Sequence, residues 1–251
     1  MRPGRLAKPA GMVVLCAWAA FGALAAVVAS GHGGPLHLDQ SLLSWSVGHR
    51  PPVALAVARA LTATGTGVVP YVLVVLAGLI AGRTARERLV AVLLCAVCLG
   101  AGQAVRYGVM DLVGRTRPPQ YDWQTRASGW SFPSGHTTTA ALTAGLLIVA
   151  LCLRAPRGRT TLCVLVACWG TGVGLTRVFL GVHWFTDVVG GWLFAAGWLG
   201  VLVLVVARWP PGRFVPRAPD PGTPHPSDTA GGPVERDAPQ DPHRRGRSRP
   251  A

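Results

Sequence analysis

Six runs of apolar residues, separated by short polar stretches, dominate this chain. Each run holds 16 to 20 residues, and a helix rising 1.5 Å per residue needs about 20 to cross the hydrocarbon core of a bilayer. The pattern therefore predicts six membrane-spanning helices, at residues 11–30, 67–82, 89–107, 137–153, 161–180 and 188–207.

Two stretches break this pattern. Residues 36–64 mix apolar residues with His, Asp and Arg and contain two adjacent prolines, which indicates one or two amphipathic helices at the outer membrane surface. Residues 210–251 are rich in Pro, Gly, Arg and Asp and poor in aliphatic residues, so we expect a disordered tail. The predicted fold is an all-α integral membrane six-helix bundle: a cytoplasmic N-terminus at 1–10, a membrane domain at 11–209, extracytoplasmic amphipathic helices and a cytoplasmic tail at 210–251.

Composition supports a membrane protein over a soluble one. Half of the 251 residues are hydrophobic and 14% are charged, against roughly 25% charged residues in ordinary soluble domains. The net charge of +14 raises the question of a nucleic-acid partner. We expect none, because the arginines fall in short clusters between the apolar runs.

The six cysteines all lie inside the apolar runs, so no disulfide framework is expected. Cys95 and Cys98 have the spacing of a metal or redox motif, but no second pair or nearby histidine completes a site. We interpret them as small apolar residues of a helix.

Clusters of Arg and Lys set the expected orientation. They lie before the first run, after the second, after the fourth and after the sixth, and these four positions share one side of the bilayer. Because basic loops stay in the cytoplasm, both termini are expected inside and residues 31–66, 108–136 and 181–187 outside. A cleaved signal peptide is an alternative interpretation of the first run.

Candidate chemistry lies at the outer ends of the runs. His183 and Asp187 are four residues apart, so on a helix from Val182 onward the carboxylate takes one imidazole N–H and raises the basicity of the other nitrogen. The alternative for this pair alone is a structural hydrogen bond. Arg117, in an outer loop, has the bidentate geometry that matches phosphate oxygens.

A second segment, Phe-Pro-Ser-Gly-His at residues 132–136, opens the fourth run. Free N–H groups at a helix start bind phosphate, and Ser134 adds a hydroxyl. His136 would stand beside the anion as a proton carrier. The alternative is a serine cap with an incidental histidine.

Together these segments resemble the type 2 phosphatidic acid phosphatase superfamily, lipid phosphate phosphatases that share a fold core with vanadium haloperoxidases. The resemblance covers residues 110–187 through three motifs, Lys-x6-Arg-Pro, Pro-Ser-Gly-His and Ser-Arg-x5-His-x3-Asp. It implies that His183 is a nucleophile forming a phosphohistidine, that Asp187 orients it, and that His136 protonates the leaving group. It also implies a phosphate cradle formed by Arg117, Arg177, Ser134 and Gly135.

The chain departs from these motifs at two positions. Met110 stands where the first motif has Lys, and a thioether cannot pair with phosphate; Thr176 replaces Ser and keeps the hydroxyl. Arg106, one helical turn earlier, and Arg115 are the candidates to supply the missing cation.

The expected function is a metal-independent phosphatase, without cofactor, that acts on a membrane lipid phosphate or diphosphate at the outer face of a bacterial plasma membrane. One alternative, suggested by Met110, is a lipid-phosphate binding or transport protein with weak or no turnover. A vanadate-dependent oxidant enzyme is a third possibility, disfavoured by the six spans. The sequence leaves open the choice among phosphatidic acid, phosphatidylglycerol phosphate and undecaprenyl-type diphosphate, and also the oligomeric state.

Overall fold

The computed structural model describes residues 4–154 and 156–208, with side chains from Gly11 onward. Within these ranges the protein has no β-strand. It has one short 3-10 helix, Gln120–Asp122, and eight α-helices: α1 Gly4–Ser30, α2 His37–Gly48, α3 Pro52–Ala63, α4 Val68–Ala81, α5 Ala85–Val113, α6 Gly135–Arg154, α7 Arg159–Phe179 and α8 Phe185–Arg208. The predicted all-α class is confirmed. The expected tail lies outside the described residues.

Five helices, α1, α5, α6, α7 and α8, are long and apolar enough to cross a membrane. The second predicted span is shorter than expected, because α4 has 14 residues and reaches only about 21 Å at 1.5 Å per residue. It makes a sixth span only together with α3, across a bend of 53°. The sequence pattern assigned α3 to the membrane surface, whereas the structure pairs it with α4. One or two helices were predicted in residues 36–64, and the structure has two there, α2 and α3; their place at the outer membrane surface stays a prediction.

Helix α6 is the most buried of the spanning helices and packs against α4, α7 and α8. Its Leu142 and Leu146 join Val74, Leu99 and Ala195 in the largest apolar cluster. Since α6 runs through the centre of the bundle, residues at its first turn face the ends of several neighbouring helices.

A second apolar cluster fixes the segment that leads into α6. Phe132 is fully buried, stacks on Phe21 of α1 and shares its apolar cluster with Phe194 of α8. At Gly190 a Cβ would lie 2.4 Å from the Phe132 ring, so the ring fits only because α8 has no side chain there. This packing holds the start of α6 against α8.

The ends of the bundle differ in chemistry. Helix α5 begins with a Thr84–Glu87 capping box and ends at Gly114, which has a left-handed φ of 58°. The ends of α1, α5 and α7 and the starts of α6 and α8 share one end, called the site end below. The arginines at 83–88, 154–159 and 208 lie at the opposite end.

Candidate active site

A cavity of about 330 Å³ opens at the site end and collects most of the predicted site residues. It is bounded by the α3–α4 bend, the last turns of α5, the start of α6, the end of α7 and the turn before α8. Six of the nine predicted residues line it, namely Arg106, Arg117, Gly135, His136, Arg177 and His183, together with Thr66, Gln103, Tyr107, Met110, Arg126–Gly129 and Thr139. Asp187, Ser134 and Arg115 lie outside the lining.

His183 lies in the turn between α7 and α8 and is 2% exposed. Its Nε2 lies 2.9 Å from Nη1 of Arg117. A guanidinium can only donate, so Nε2 is the unprotonated nitrogen and Nδ1 carries the hydrogen. Burial lowers the pKa of His183 to about 4, although the hydrogen bond with Asp187 acts in the opposite direction. The ring is therefore neutral at pH 7, and the lone pair of its Nε2 accepts the N–H of Arg117.

Asp187 holds this tautomer in place. Its Oδ2 lies 3.3 Å from His183 Nδ1 and accepts hydrogen bonds from the backbone N–H of Trp184, at 2.9 Å, and from the hydroxyl of Ser131. Helix α8 begins at Phe185 rather than at Val182, so the pair forms at the helix entry instead of within a continuous helix. The four-residue spacing nevertheless brings the two side chains together.

Arg115 does not reach the cavity, in contrast to its predicted candidacy as a phosphate ligand. It is fully buried and bridges two carboxylates, with Nη1 at 2.6 Å from Asp187 Oδ1 and Nη2 at 2.7 Å from Asp39 Oδ2. Asp39, on α2, also accepts a hydrogen bond from the backbone N–H of Thr186 at 2.8 Å. Arg115 is already paired with two carboxylates. It therefore fixes the position of Asp187 and does not line the cavity.

The start of α6 combines a buried serine with an accessible histidine. Ser134 is fully buried; its backbone N–H donates to the carbonyl of Asp187 at 3.1 Å and its Oγ accepts from the hydroxyl of Thr137 at 3.0 Å. It therefore ties α6 to α8 instead of lining the cavity. His136 lines the cavity, with Nε2 at 3.3 Å from the hydroxyl of Thr66.

Arg117 uses its whole guanidinium within the protein. Nε donates to the carbonyl of Gly129, Nη2 to those of Ser128 and Trp130, and Nη1 to that of Val182 and to Nε2 of His183. All five N–H groups are thus occupied, and the expected free bidentate fork is absent. Burial lowers the pKa of this guanidinium, which nevertheless stays charged at neutral pH. Four of these N–H groups donate to carbonyls and one to the imidazole of His183.

Arg177 has guanidinium N–H groups that make no hydrogen bond within the described residues. It is 2% exposed, and in the described part of the chain its single hydrogen bond runs from Nη1 to the hydroxyl of Thr62, at 2.8 Å. Its Nε is buried without a partner there. A buried cation with unused N–H groups on a cavity wall is chemically suited to an anion.

Arg106 occupies the neighbourhood of Met110. Its Nη1 lies 3.4 Å from the Met110 sulfur, its Nε donates to Gln103 at 2.8 Å, and its Cζ lies 3.9 Å from the centre of the Tyr107 ring. A Cβ on Gly135 would lie 3.3 Å from the same Cζ. Of the two candidate replacements for the motif lysine, Arg106 lines the cavity and Arg115 does not.

Sequence analysis missed four contributors. Asp39 lies in the mixed stretch 36–64, for which no partner was predicted, and Ser131, Thr62 and Thr66 belong to none of the three motifs. The one sequence signal that these residues share is that each is a polar residue among apolar ones. Their partners lie 52 to 147 residues away in the chain, too far for any local spacing to identify.

Comparisons with known proteins find related sequences and a similar fold. A family model described as the PAP2 superfamily matches residues 88–211. Phosphatidylglycerophosphatase B of Escherichia coli K12 is 39% identical over 94 residues, or 36% of this chain and 34% of that protein. The lipid A 1-phosphatase of Rhizobium etli is 34% identical over 103 residues, covering 38% of this chain and 40% of that one.

The undecaprenyl-diphosphatase of Sulfolobus acidocaldarius is 30% identical over 129 residues, covering 49% of this chain and 57% of that one. The chain thus spans about a third of the length of the first curated relatives. A crystal structure of a transmembrane PAP2-type phosphatidylglycerolphosphate phosphatase from Bacillus subtilis matches with a TM-score of 0.62 at 22% identity. It covers 82% of this chain and 98% of that one, a likeness of fold.

Proposed function

The chain belongs to the PAP2 superfamily, and we propose that it is an integral membrane phosphatase that hydrolyses a lipid phosphate or diphosphate through a phosphohistidine. One observation carries this proposal. A neutral histidine, His183, presents an unprotonated Nε2 beside Arg117, in the same cavity as a second histidine, His136. One imidazole is then available to attack phosphorus and the other to move a proton.

In the first half of the reaction, the Nε2 lone pair of His183 forms a bond to phosphorus while the bond from phosphorus to the leaving oxygen breaks. His136, which begins the cycle as an imidazolium beside the bound anion, gives that oxygen a proton, because an alkoxide or phosphate leaves poorly when unprotonated. Asp187 accepts the hydrogen bond from Nδ1–H and stabilises the positive charge that develops on the ring.

In the second half, His136 takes a proton from water as the water oxygen attacks phosphorus. The bond from nitrogen to phosphorus then breaks and returns its electron pair to Nε2. Each histidine ends the cycle in the protonation state in which it began. The N–H of Arg117 that now points at Nε2 is free to turn to a phosphoryl oxygen in both halves.

The charge of the cavity supports an anionic substrate. Four arginines line it, Arg106, Arg117, Arg126 and Arg177, and among the residues that the structure describes no carboxylate side chain does. Arg177 contributes unused N–H groups, and Arg106 supplies a cation beside Met110. Because Arg106 offsets the lost lysine, hydrolysis is favoured over binding or transport without turnover. Four guanidinium groups match either a phosphate dianion or a diphosphate.

We expect the reaction to need no metal. The cavity lining offers imidazole and guanidinium groups, and within residues 4–154 and 156–208 no cluster of three or more His, Cys, Asp or Glu side chains could hold an ion. Charge developing on the phosphoryl oxygens would be met by arginine instead.

The site end is proposed to face away from the cytoplasm. Arginine clusters lie at the opposite end of the bundle, and basic loops stay on the cytoplasmic side. A lipid phosphate of the outer leaflet would then enter the cavity from the bilayer, with both chain termini inside a bacterial plasma membrane.

The test is phosphate release by the purified full-length protein in detergent micelles. The panel contains phosphatidic acid, phosphatidylglycerol phosphate and a polyprenyl diphosphate, each with and without EDTA, and His183→Ala serves as the inactive control. We expect release from at least one lipid, unchanged by EDTA and abolished in the variant. Lipid binding without release across the panel would favour the binding or transport alternative, and release by His183→Ala would refute the covalent route.

A further inference from the structure

The bend between α3 and α4 reaches into the site from outside the three motifs. Thr62 lies on the last turn of α3, and Thr66 lies four residues later within the bend. The first contacts Arg177 and the second contacts His136. Each of these partners belongs to a different motif, so a segment that carries no motif touches two of the three.

Close packing against α7 explains why Thr62 faces Arg177. Gly65 lies in the bend just after α3, and a Cβ there would lie 2.3 Å from Cγ1 of Val173, so the bend approaches α7 where no side chain intervenes. Val173 and Arg177 are four residues apart and share one face of α7. The approach at Gly65 therefore places Thr62 beside the guanidinium one turn further along.

A single hydrogen bond, from Arg177 to Thr62, holds the flexible Arg177 side chain within the described residues. Arg177 is 2% exposed and Thr62 is 4% exposed. The bond from Nη1 to the Thr62 hydroxyl, at 2.8 Å, is the one hydrogen bond of the Arg177 side chain in the described part of the chain. An arginine side chain has several rotatable bonds, and a guanidinium must keep its plane to pair with phosphate in bidentate fashion. With this single anchor removed, nothing polar in the described structure fixes that plane.

We infer that Thr62 is a positioning residue for anion binding: its hydroxyl holds Arg177 in the orientation that receives the phosphoryl group. The inference rests on the proposed function for its link to turnover, but its core concerns the binding of a phosphate anion. Thr62 acts only through Arg177, and this separates it from a residue needed merely for folding.

Three single variants of the full-length protein test this inference. Thr62→Val keeps the branched shape and removes the hydroxyl, Thr62→Ser keeps the hydroxyl, and Thr64→Val is the matched control. Thr64 lies two residues further along, and its hydroxyl accepts from Trp169 Nε1 at 2.9 Å, away from the cavity. The readouts are the Kd of inorganic phosphate in detergent and kcat/KM for the best lipid of the panel.

We expect Thr62→Val to weaken phosphate binding and to lower kcat/KM by about tenfold each, as loss of a hydrogen bond to a charged group would. Thr62→Ser should stay within about threefold of wild type, and Thr64→Val should match wild type in both readouts. If Thr62→Val does not fold, Thr62→Ala removes the same hydroxyl and takes its place.

A double-variant cycle separates positioning from general structure. In an Arg177→Met background, Thr62→Val should cost nothing further in phosphate binding, because its partner is already gone. An equal loss in both backgrounds would overturn the inference, as would phosphate binding by Thr62→Val that matches wild type. If wild type releases no phosphate from any lipid while Thr62→Val still weakens phosphate binding, the proposed function fails and the positioning role stands.

Discussion

Replacing Asp39 with Asn tests the buried charge cluster behind the site. Asp39 is fully buried, and its oxygens accept hydrogen bonds from Arg115, from the backbone N–H of Thr186 and from that of Leu36, at 2.7, 2.8 and 3.0 Å. An amide keeps one acceptor oxygen and turns the other into a donor. In either orientation, its NH2 group faces an N–H of a neighbour.

The expected loss in the free energy of unfolding follows from the Arg115 charge that loses one of its two partners. Removing one partner of a buried ion pair typically costs about 3 to 5 kcal/mol, because the remaining charge stays buried and uncompensated. Arg115 keeps its second carboxylate, Asp187, at 2.6 Å, so we expect the lower end of that range, about 3 kcal/mol.

The assay is chemical unfolding of the detergent-solubilised protein, followed by tryptophan fluorescence. Asp122→Asn is the control, since that half-buried carboxylate accepts no side-chain hydrogen bond within the described residues; its effect should stay within about 0.5 kcal/mol. A change below about 1 kcal/mol for Asp39→Asn would refute the idea that the pair with Arg115 stabilises the fold.

Four further predictions concern activity, each checked by phosphate release. His183→Ala should abolish turnover while the protein remains folded by circular dichroism. Arg106→Gln should raise KM at least about tenfold, as loss of a charged hydrogen bond would; an unchanged KM would mean that another group replaces the motif lysine at Met110. Arg117→Lys should lower kcat at least about tenfold, because one ammonium cannot replace five directed N–H groups; near-normal kcat would contradict this. Because burial lowers the pKa of His183 to about 4, its neutral form persists from pH 7 to 5 and is lost only as the pH falls towards 4. An acid limb of kcat/KM with its midpoint near pH 6.5 would contradict that environment.

The convergence of the three motif segments was predictable because alternation of six spans places their ends on one side. The structure brings His136, His183 and Arg117 to a single cavity, and the spacing of His183 and Asp187 sufficed to pair them. These inferences needed only helix periodicity and the order of apolar runs along the chain.

The sequence alone could not predict which arginines line the cavity and which pair with buried carboxylates. Arg115 follows the left-handed Gly114 that ends α5, and this turn directs its side chain into the bundle towards Asp39. Arg117 has the predicted location, but its guanidinium N–H groups donate to four carbonyls and to His183. Which partner a guanidinium selects depends on loops folded from distant parts of the chain.

The α3–α4 segment shows a different limit. Its polar residues and paired prolines are typical of surface helices, and the second apolar run, residues 67–82, predicts a membrane span of its own. The structure instead bends the two helices by 53° and brings Thr62 and Thr66 to the site. Close approach at Gly65 depends on Val173 of α7, a contact that hydrophobic periodicity does not encode.

The central claim is that His183 Nε2 becomes bonded to phosphorus during turnover. The most direct measurement is rapid quenching of the purified protein in alkali after mixing with a 32P-labelled lipid phosphate that it hydrolyses, followed by mapping of the labelled peptide. We expect base-stable, acid-labile label on the peptide that contains His183, and none in His183→Gln. Label on a different residue, or full turnover with no labelled protein at any quench time, would contradict the mechanism.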